Sequence, residues 1–185
     1  MTDKTRKILK ISLSILIPIV IVGVAVLIDQ LTKIYIMNNF ELYDSIEVIP
    51  DFFDITYVRN SGSAFSMFAD KEWGQTFFKI ITPIALIGYV ALYYFFGRKY
   101  KFLTVGIALT AGGTIGNYID RLLYSEVIDF LSFEFFGWGF PVFNMADTFL
   151  CIGVFMIIIH FLFIDSDAVF KFSKKTEDVA DGEQA

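Results

Sequence analysis

Four long stretches of this 185-residue chain carry no Asp, Glu, Lys or Arg, and they limit the possible folds more than any other feature. They cover residues 11–28, 80–96, 102–119 and 148–164. Each approaches the roughly 20 apolar residues that an α-helix needs to cross the hydrocarbon of a bilayer. Hydrophobic residues make up 56% of the chain, more than soluble domains normally carry. The sequence therefore predicts an α-helical membrane protein, a bundle of four transmembrane helices whose last span runs from about 146 to 164.

The first stretch follows basic residues, as the apolar core of a secretory signal peptide does. It is longer than the usual core of about 7–15 residues, and no A-x-A-like site follows it, so we expect an uncleaved span. Three basic clusters flank the spans: Lys4, Arg6, Lys7 and Lys10; Arg98, Lys99 and Lys101; Lys171, Lys174 and Lys175. By the positive-inside rule both termini are cytoplasmic, and the connections at about 37–78 and 122–143 face outward.

The first outer connection is patterned like β-structure. Residues 46–49 form an apolar run, and residues 53–58 alternate between apolar and polar side chains. We expect a small extracytoplasmic β-sheet on the membrane surface between spans one and two, flanked by aromatic anchors at Trp73, Phe77, Phe78, Trp138 and Phe140. Residues 1–172 then form a single membrane domain, and residues 173–185 form a disordered cytoplasmic tail.

Charge and cysteine content exclude several classes of function. The formal net charge of −5 comes from acidic outer loops and an acidic tail, so no nucleic-acid partner is expected. The single cysteine, Cys151, rules out a disulfide framework, and we expect it to serve packing inside span four. The chain has no HExxH motif and no Cys/His cluster, so we predict no metal and no cofactor.

Ionisable and amide side chains gather at the predicted outer ends of the spans. They form four groups: Asp29 with Lys33; Asn117 with Asp120 and Arg121; Asn144 with Asp147; and Asp129 between the last two. Residues three or four apart share one face of a helix, so the members of each helical group can interact. Because a charge near the bilayer centre costs about 2.5–3.5 kcal/mol, charged residues near that depth are functional by default.

The neighbours of each group indicate different roles. Asp29 and Lys33 can form an ion pair that locks the end of the first span. Asp120 and Arg121 suit a structural or substrate-positioning role. Asp129 and Asp147 have no adjacent basic residue, and apolar surroundings can push the pKa values of two neighbouring carboxylates apart. One carboxylate could then take a proton from water while the other polarises a carbonyl, which is the chemistry of hydrolysis.

Serine chemistry fits this chain poorly. Ser63 and Ser66 would need a base, but the only histidine, His160, lies thirteen residues after Asp147 in span four. That spacing places it toward the cytoplasmic side, where a hydrogen-bonded interior role is expected. Lys33 has Asp29 one helical turn away to keep it charged, which opposes a role as general base.

Two classes other than hydrolases remain open from the residues alone. A proton-coupled transporter also collects carboxylates, but it should place them near the midplane with a path to the cytoplasm. A structural or assembly protein would need fewer charged groups at one depth. Proton flux into liposomes would separate a transporter from a protease.

Five motifs in order give the chain a specific resemblance. They are DQLTK at 29–33, VRNSGSAFS at 58–66, GGTIGNYIDR at 112–121, VIDF at 127–130 and FNMAD at 143–147. With these motifs the chain resembles the lipoprotein signal peptidase (signal peptidase II) family, the bacterial aspartyl membrane proteases. The resemblance covers the chain except its tail. It departs from the family's NxGAAF pattern at Ser63, where another small residue is usual.

The resemblance implies an activity and a site. The activity is an aspartic endopeptidase that cuts a diacylglyceryl-modified prolipoprotein just before its lipidated cysteine. Asp129 and Asp147 would be the catalytic pair, and Asp29 and Lys33 a structural pair. Supporting roles, in positioning the substrate or the pair, fall to Asn60, Gly62, Asn117, Asp120, Arg121 and Asn144. The implied setting is the bacterial cytoplasmic membrane, with the site on the extracytoplasmic side, membrane lipid around it and the enzyme active as a monomer.

Overall fold

The computed structural model describes residues 2–62 and 72–164. Four helices, α1 to α4, span Asp3–Asn39, Glu72–Phe95, Lys101–Tyr124 and Met145–Ile159. Four strands, β1 to β4, span Ser45–Ile49, Phe53–Asn60, Val127–Phe135 and Trp138–Gly139. A 3-10 turn at Gly97–Lys99 joins α2 to α3, and a π-helical turn at His160–Ile164 extends α4. The tail at 173–185, which the sequence predicts to be disordered, lies outside the described residues.

Apart from Phe96, which follows α2, the four apolar stretches lie within helices, as the hydropathy pattern predicts. Each helix is long and apolar enough to cross a membrane, counting α4 together with its π-helical turn. The first is longer than predicted: its 37 residues extend about 55 Å at 1.5 Å per residue, well beyond a hydrocarbon core of about 30 Å. The helix therefore continues beyond the uncharged stretch at both ends, where it includes charged residues.

Helix α3 lies at the centre of the bundle and packs against the other three helices. In the most apolar 18-residue stretch of α3, 50% of the residues are buried inside the protein. The same share is 6% for α1 and 6% for α2. Glycines permit this close packing. A Cβ at Gly112 would lie 2.7 Å from the Cβ of Ala25, and one at Gly106 would lie 2.9 Å from the Cβ of Met156. Small residues let helix backbones approach closely in membrane bundles.

The strands form one antiparallel sheet in the order β1-β2-β3-β4. The two strands expected between spans one and two are present as β1 and β2. The sheet is larger than predicted, however, because β3 and β4 come from the connection between α3 and α4. In the register of β2 with β3, Val58 is opposite Asp129 and Asn60 is opposite Val127. This pairing joins the two outer connections.

One face of the sheet packs on the end of α1. Ile36 of α1 forms a buried cluster with Tyr57, Ile128 and Phe130. Successive side chains of a strand point to opposite faces, so Asp129 lies on the face away from this cluster. The fold therefore turns Asp129 toward the space beside α3 and α4.

Candidate active site

Backbone hydrogen bonds bring Asp129 close to the start of α4. The amides of Phe130 and Leu131 donate to the Phe143 carbonyl at 3.0 and 2.8 Å, and the Phe143 amide donates to the Leu131 carbonyl at 3.1 Å. The segment that leads into α4 is thus bonded to β3 directly after Asp129. Asp147, in the first turn of α4, is placed on the same side.

Asn144 connects the two aspartates. It is the N-cap of α4, where its side chain accepts from the Asp147 amide at 2.9 Å and its own amide donates to Asp147 Oδ2 at 3.2 Å. This reciprocal arrangement is a capping box. The Asn144 Nδ2 group also donates to Asp129 Oδ1 at 2.7 Å. One buried residue therefore bonds to both carboxyl groups, through its side-chain amide to Asp129 and through its backbone amide to Asp147.

Asp129 lies in a nearly closed environment. Its side chain is 3% exposed, and Asn60 Nδ2 donates to its second oxygen at 3.0 Å. Burial, and to a lesser extent the nearby Asp147 carboxylate, raises the pKa of Asp129 from an ordinary 3.8 to about 7. Asp129 can therefore be protonated near neutral pH.

Asp147 has different surroundings. Asn117 Nδ2 donates to its Oδ1 at 2.7 Å, and the Asn144 amide donates to its other oxygen. The carboxyl group also lies at the N-terminal end of α4, where the helix dipole favours negative charge. Asp147 therefore accepts two hydrogen bonds at the start of a helix, whereas Asp129 lies on a strand.

Lys33 forms the centre of a buried group, the Lys33 cluster, made of Asp29, Gln30, Lys33 and Asp120. Its Nζ lies 2.9 Å from Asp29 Oδ2 and 2.8 Å from Asp120 Oδ2. Gln30 Nε2 donates to both of these aspartates, at 3.1 and 3.0 Å. The ion pair expected between Asp29 and Lys33 is present, and Asp120 joins it.

Arg121 points away from Asp120, its neighbour in sequence. Its guanidinium carbon lies 4.6 Å from the Phe78 ring centroid, and Nη2 donates to the Gly62 carbonyl at 3.1 Å. The Gly62 amide in turn donates to Asn60 Oδ1 at 2.9 Å. Asp120 therefore belongs with Lys33, whereas Arg121 belongs with the chain around Gly62.

A cavity of about 880 Å³ opens beside these groups. Both Asp129 and Asp147 line it, together with the apolar Phe78, Val142 and Leu150. The described residues contain no group of His, Cys, Asp and Glu side chains that could hold a metal ion. The cavity thus offers two carboxyl groups in an apolar environment, which suits general acid and base chemistry.

Two residues differ from their expected roles. Cys151, expected to pack inside span four, is exposed and lines the cavity one turn after Asp147. His160 is buried as expected, with its ring centroid 4.6 Å from that of Tyr100. Within the described part of the chain, however, neither ring nitrogen of His160 has a hydrogen-bond partner.

Sequence reasoning missed two parts of this site. Gln30 lies inside the DQLTK motif, and its polar side chain in an apolar segment was a usable signal. The backbone amides of Ile128 and Ala146 donate to Asp120 and Asp29, at 3.1 and 2.9 Å. No sequence pattern marks such contacts, because each joins residues of two different elements and depends on how those elements pack.

Comparison with known proteins gives a consistent result. The sequence model of the family described as Signal peptidase (SPase) II matches residues 21–163. The chain is 43% identical over 143 residues to the lipoprotein signal peptidase of Bacillus pumilus (strain SAFR-032), covering 77% of this chain and 90% of the relative. It is 46% identical over 147 residues to that of Staphylococcus aureus (strain JH9), covering 78% and 86%.

Solved structures resemble the fold as well. One, described as a bacterial membrane enzyme determined by the in meso method at 2.3 Å resolution, is 43% identical and superposes with a TM-score of 0.75 over 81% of this chain and 90% of the other. A second, at 1.9 Å resolution, is 42% identical with a TM-score of 0.72 over 79% and 92%. The family model covers α2 to α4 and the second half of α1, and the chain therefore belongs to the signal peptidase II family of proteases.

Proposed function

We propose that this protein is an aspartic endopeptidase that removes the signal peptide from diacylglyceryl-modified prolipoproteins, cutting just before the lipidated cysteine. The observation that carries the proposal is the pair of Asp129 and Asp147, which line one cavity and are both bonded to Asn144. The family supplies the class of substrate, since its curated relatives are lipoprotein signal peptidases.

The different surroundings of the two carboxyl groups support an assignment of roles. Asp147 is the base, because it accepts two N–H bonds at a helix N-terminus. Asp129 is the acid, because its raised pKa keeps a proton available near pH 7. This order has no covalent intermediate and no metal ion.

The proton transfers balance over one turnover. Asp147 takes a proton from water as the water oxygen bonds to the scissile carbonyl carbon, and Asp129 gives its proton to the carbonyl oxygen. The tetrahedral intermediate then loses its C–N bond. Asp147 returns its proton to the leaving nitrogen, and Asp129 recovers one from the hydroxyl group that becomes the new carbonyl. Both aspartates end in their starting state.

The membrane setting supports this choice of substrate. We propose that the four helices cross the bacterial cytoplasmic membrane with both termini inside, which places the sheet and the cavity mouth outside. A lipidated proprotein is anchored in the same membrane, so its scissile bond is held near the cavity without a search through solution. In this proposal residues 1–172 act as one domain, as a monomer.

Substitution of each aspartate tests the proposal. Asp129→Asn and Asp147→Asn enzymes, purified in lipid, should cut a lipidated prolipoprotein at least about a thousandfold more slowly than wild type. Asp54→Asn is the matched control, since Asp54 lies on β2 and is not among the cavity-lining residues.

Mass measurement of the products gives the cleavage position and the lipid requirement. An unlipidated substrate should be cut poorly, and the product should begin at the lipidated cysteine. Wild-type rates in either Asn variant, with folding intact, would remove the aspartates from the mechanism.

A further inference from the structure

We propose that Lys33 is a positioning residue that fixes the separation of the catalytic carboxyl groups and the orientation of the amide that contacts one of them. The inference deepens the proposed function and rests on it. It goes beyond an ion pair that locks the end of a helix, because the contacts of Lys33 lead to both aspartates through separate routes.

The first route runs through the backbone. Asp29 Oδ1 accepts from the amide of Ala146, the residue just before Asp147. Asp120 Oδ2 accepts from the amide of Ile128, the residue just before Asp129. Asp29 and Asp120 therefore each hold the backbone amide of the residue that precedes one of the two proposed catalytic aspartates.

Lys33 joins these two anchors. Its ammonium lies 2.9 Å from Asp29 and 2.8 Å from Asp120, so one cation spans the carboxylates that hold α4 and β3. Without Lys33, Asp29 and Asp120 would be neighbouring carboxyl groups with no cation between them, so the contacts that join them through Lys33 would be lost. The backbones before Asp129 and Asp147 would then no longer be connected through one cation.

The second route runs through Asn117. Lys33 Nζ donates to Asn117 Oδ1 at 2.9 Å, and Asn144 Nδ2 donates to the same oxygen at 3.0 Å. An ammonium group can only donate, so it requires the amide oxygen on its side. The amide nitrogen must then face the other way, where it donates to Asp147 at 2.7 Å. Lys33, together with Asn144, thus selects the orientation in which Asn117 donates to Asp147.

The packing encloses Lys33 and keeps it from solvent. Its side chain is 1% exposed, and Asp29 and Asp120 are 0% exposed. Its three ammonium protons match three acceptors: two carboxylates and one amide oxygen. Lys33 also interacts electrostatically with Asp129 on β3 and Asp147 on α4, and Arg121 on α3 interacts with the same two carboxyl groups. A buried lysine with this set of contacts orients its neighbours and does not touch the substrate.

Two variants test the proposal against a purely structural role. Lys33→Met removes the cation, and the neutral Asp29→Asn/Lys33→Met/Asp120→Asn variant keeps similar side-chain volumes without burying an unpaired charge. Both should lower kcat about 100-fold, since a misplacement of about 1 Å can cost that much. The dissociation constant of an uncleavable lipidated peptide should change less than about threefold. Lys101→Met is the matched control, because Lys101 is exposed at the start of α3.

The pH profile of kcat/KM adds a signature that loss of folded protein cannot produce. In Lys33→Met the acidic limb, which reports the base, should move upward by about one pH unit, because Asp147 loses both a cation and a correctly oriented amide. A wild-type kcat in either variant, or an unmoved acidic limb, would overturn the proposal. Loss of peptide binding together with activity in both variants would overturn it too, since Lys33 would then serve folding alone. The Asp129→Asn and Asp147→Asn enzymes, assayed alongside, show separately whether the aspartate mechanism itself holds.

Discussion

Asp129 and Asp147 carry the same functional group, but their neighbours and their burial differ. Asp129 receives two side-chain amide bonds and is buried on a strand. Asp147 receives one side-chain amide bond and one backbone bond at the positive end of a helix. In the proposed mechanism the two carboxyl groups divide the roles of acid and base according to these surroundings.

The raised pKa of Asp129 predicts the alkaline limit of activity. The acid must be protonated, so kcat/KM should fall as pH rises through about 7. Initial rates on a lipidated substrate from about pH 5 to about pH 9 would measure this limb. The Asp54→Asn enzyme should give the wild-type profile, because Asp54 lies away from the cavity. Constant activity up to about pH 9 would mean that Asp129 is not the proton donor.

The same pKa predicts a change in stability. A carboxyl group whose folded pKa of about 7 exceeds the ordinary 3.8 stabilises the fold fully below pH 3.8, and this contribution is lost as pH rises through 7. Asp129→Asn removes the ionisation, so the variant should melt higher than wild type above pH 7 and show little of that gain near pH 4. Each kcal/mol corresponds to roughly 2–4 °C in Tm. Thermal unfolding at both pH values tests this, and an equal gain at the two values would contradict it.

At the scale of elements, α3 positions the site because it approaches α1 and α4 so closely. A Cβ at Gly116 would lie 2.5 Å from Asp29 Oδ2 and 3.1 Å from the Cβ of Ala146. Gly116→Ala should therefore push α1 and α4 apart at the Lys33 cluster. We expect a loss of about 1–3 kcal/mol of stability and a larger proportional loss of activity.

Gly88→Ala is the control for this substitution. Gly88 lies within α2, and a Cβ there would meet nothing within 4 Å. Alanine is the better helix former by about 1 kcal/mol, so this variant should be neutral or more stable. Unfolding temperature and peptidase rate are measured for both. Equal behaviour of the two alanine variants would show that the close approach at Gly116 is unimportant.

The elements differ in how well the sequence predicts them. The helices follow from runs of uncharged residues, a local signal that needs no knowledge of packing. The strands β1 and β2 follow from local alternation. The pairing of β2 with β3 does not, because it joins residues about 70 positions apart in sequence and depends on how α2 and α3 pack between them.

The same division applies to the site. Asp129 and Asp147 stand out in the sequence because each is a carboxyl group in apolar surroundings with no adjacent basic residue. The pair of Asp29 with Lys33 follows from helical spacing. Asp120 looked like a partner of Arg121, its neighbour in sequence, yet consecutive helical residues point about 100° apart, and tertiary packing turned Asp120 toward Lys33 instead. Contacts set by the packing of separate helices are not encoded in any local pattern.

At the scale of the whole molecule, the two outer connections and the ends of the helices meet around one cavity. Helix α2 contributes Phe78, α3 contributes Asn117, β3 contributes Asp129 and α4 contributes Asp147. The proposed activity requires the cavity mouth to face the side of the membrane on which lipoproteins are released. The proposed orientation meets this requirement. Orientation is therefore the property of the whole molecule on which the proposed function depends.

Cysteine labelling in intact cells tests this orientation. Cys151 is first replaced by Ser, because it is the only cysteine and it is exposed. Single cysteines are then placed at Ser45, at the start of β1, and at Lys101, at the start of α3, which are both exposed. A membrane-impermeant maleimide should label the cysteine at position 45 in intact cells. The cysteine at position 101 should react only after permeabilisation, because the basic residues around it hold that end inside.

A cysteine at Thr2 provides the internal control. Thr2 is the N-cap of α1, so it should behave like position 101 if four helices separate the sheet from the N-terminus and the α2–α3 turn. Labelling of position 101 but not of position 45 in intact cells would show that the protein has the opposite orientation. The cavity would then open toward the cytoplasm, where exported lipoproteins do not emerge, and the proposed substrate would have to be abandoned even though the arrangement of the aspartates stayed the same.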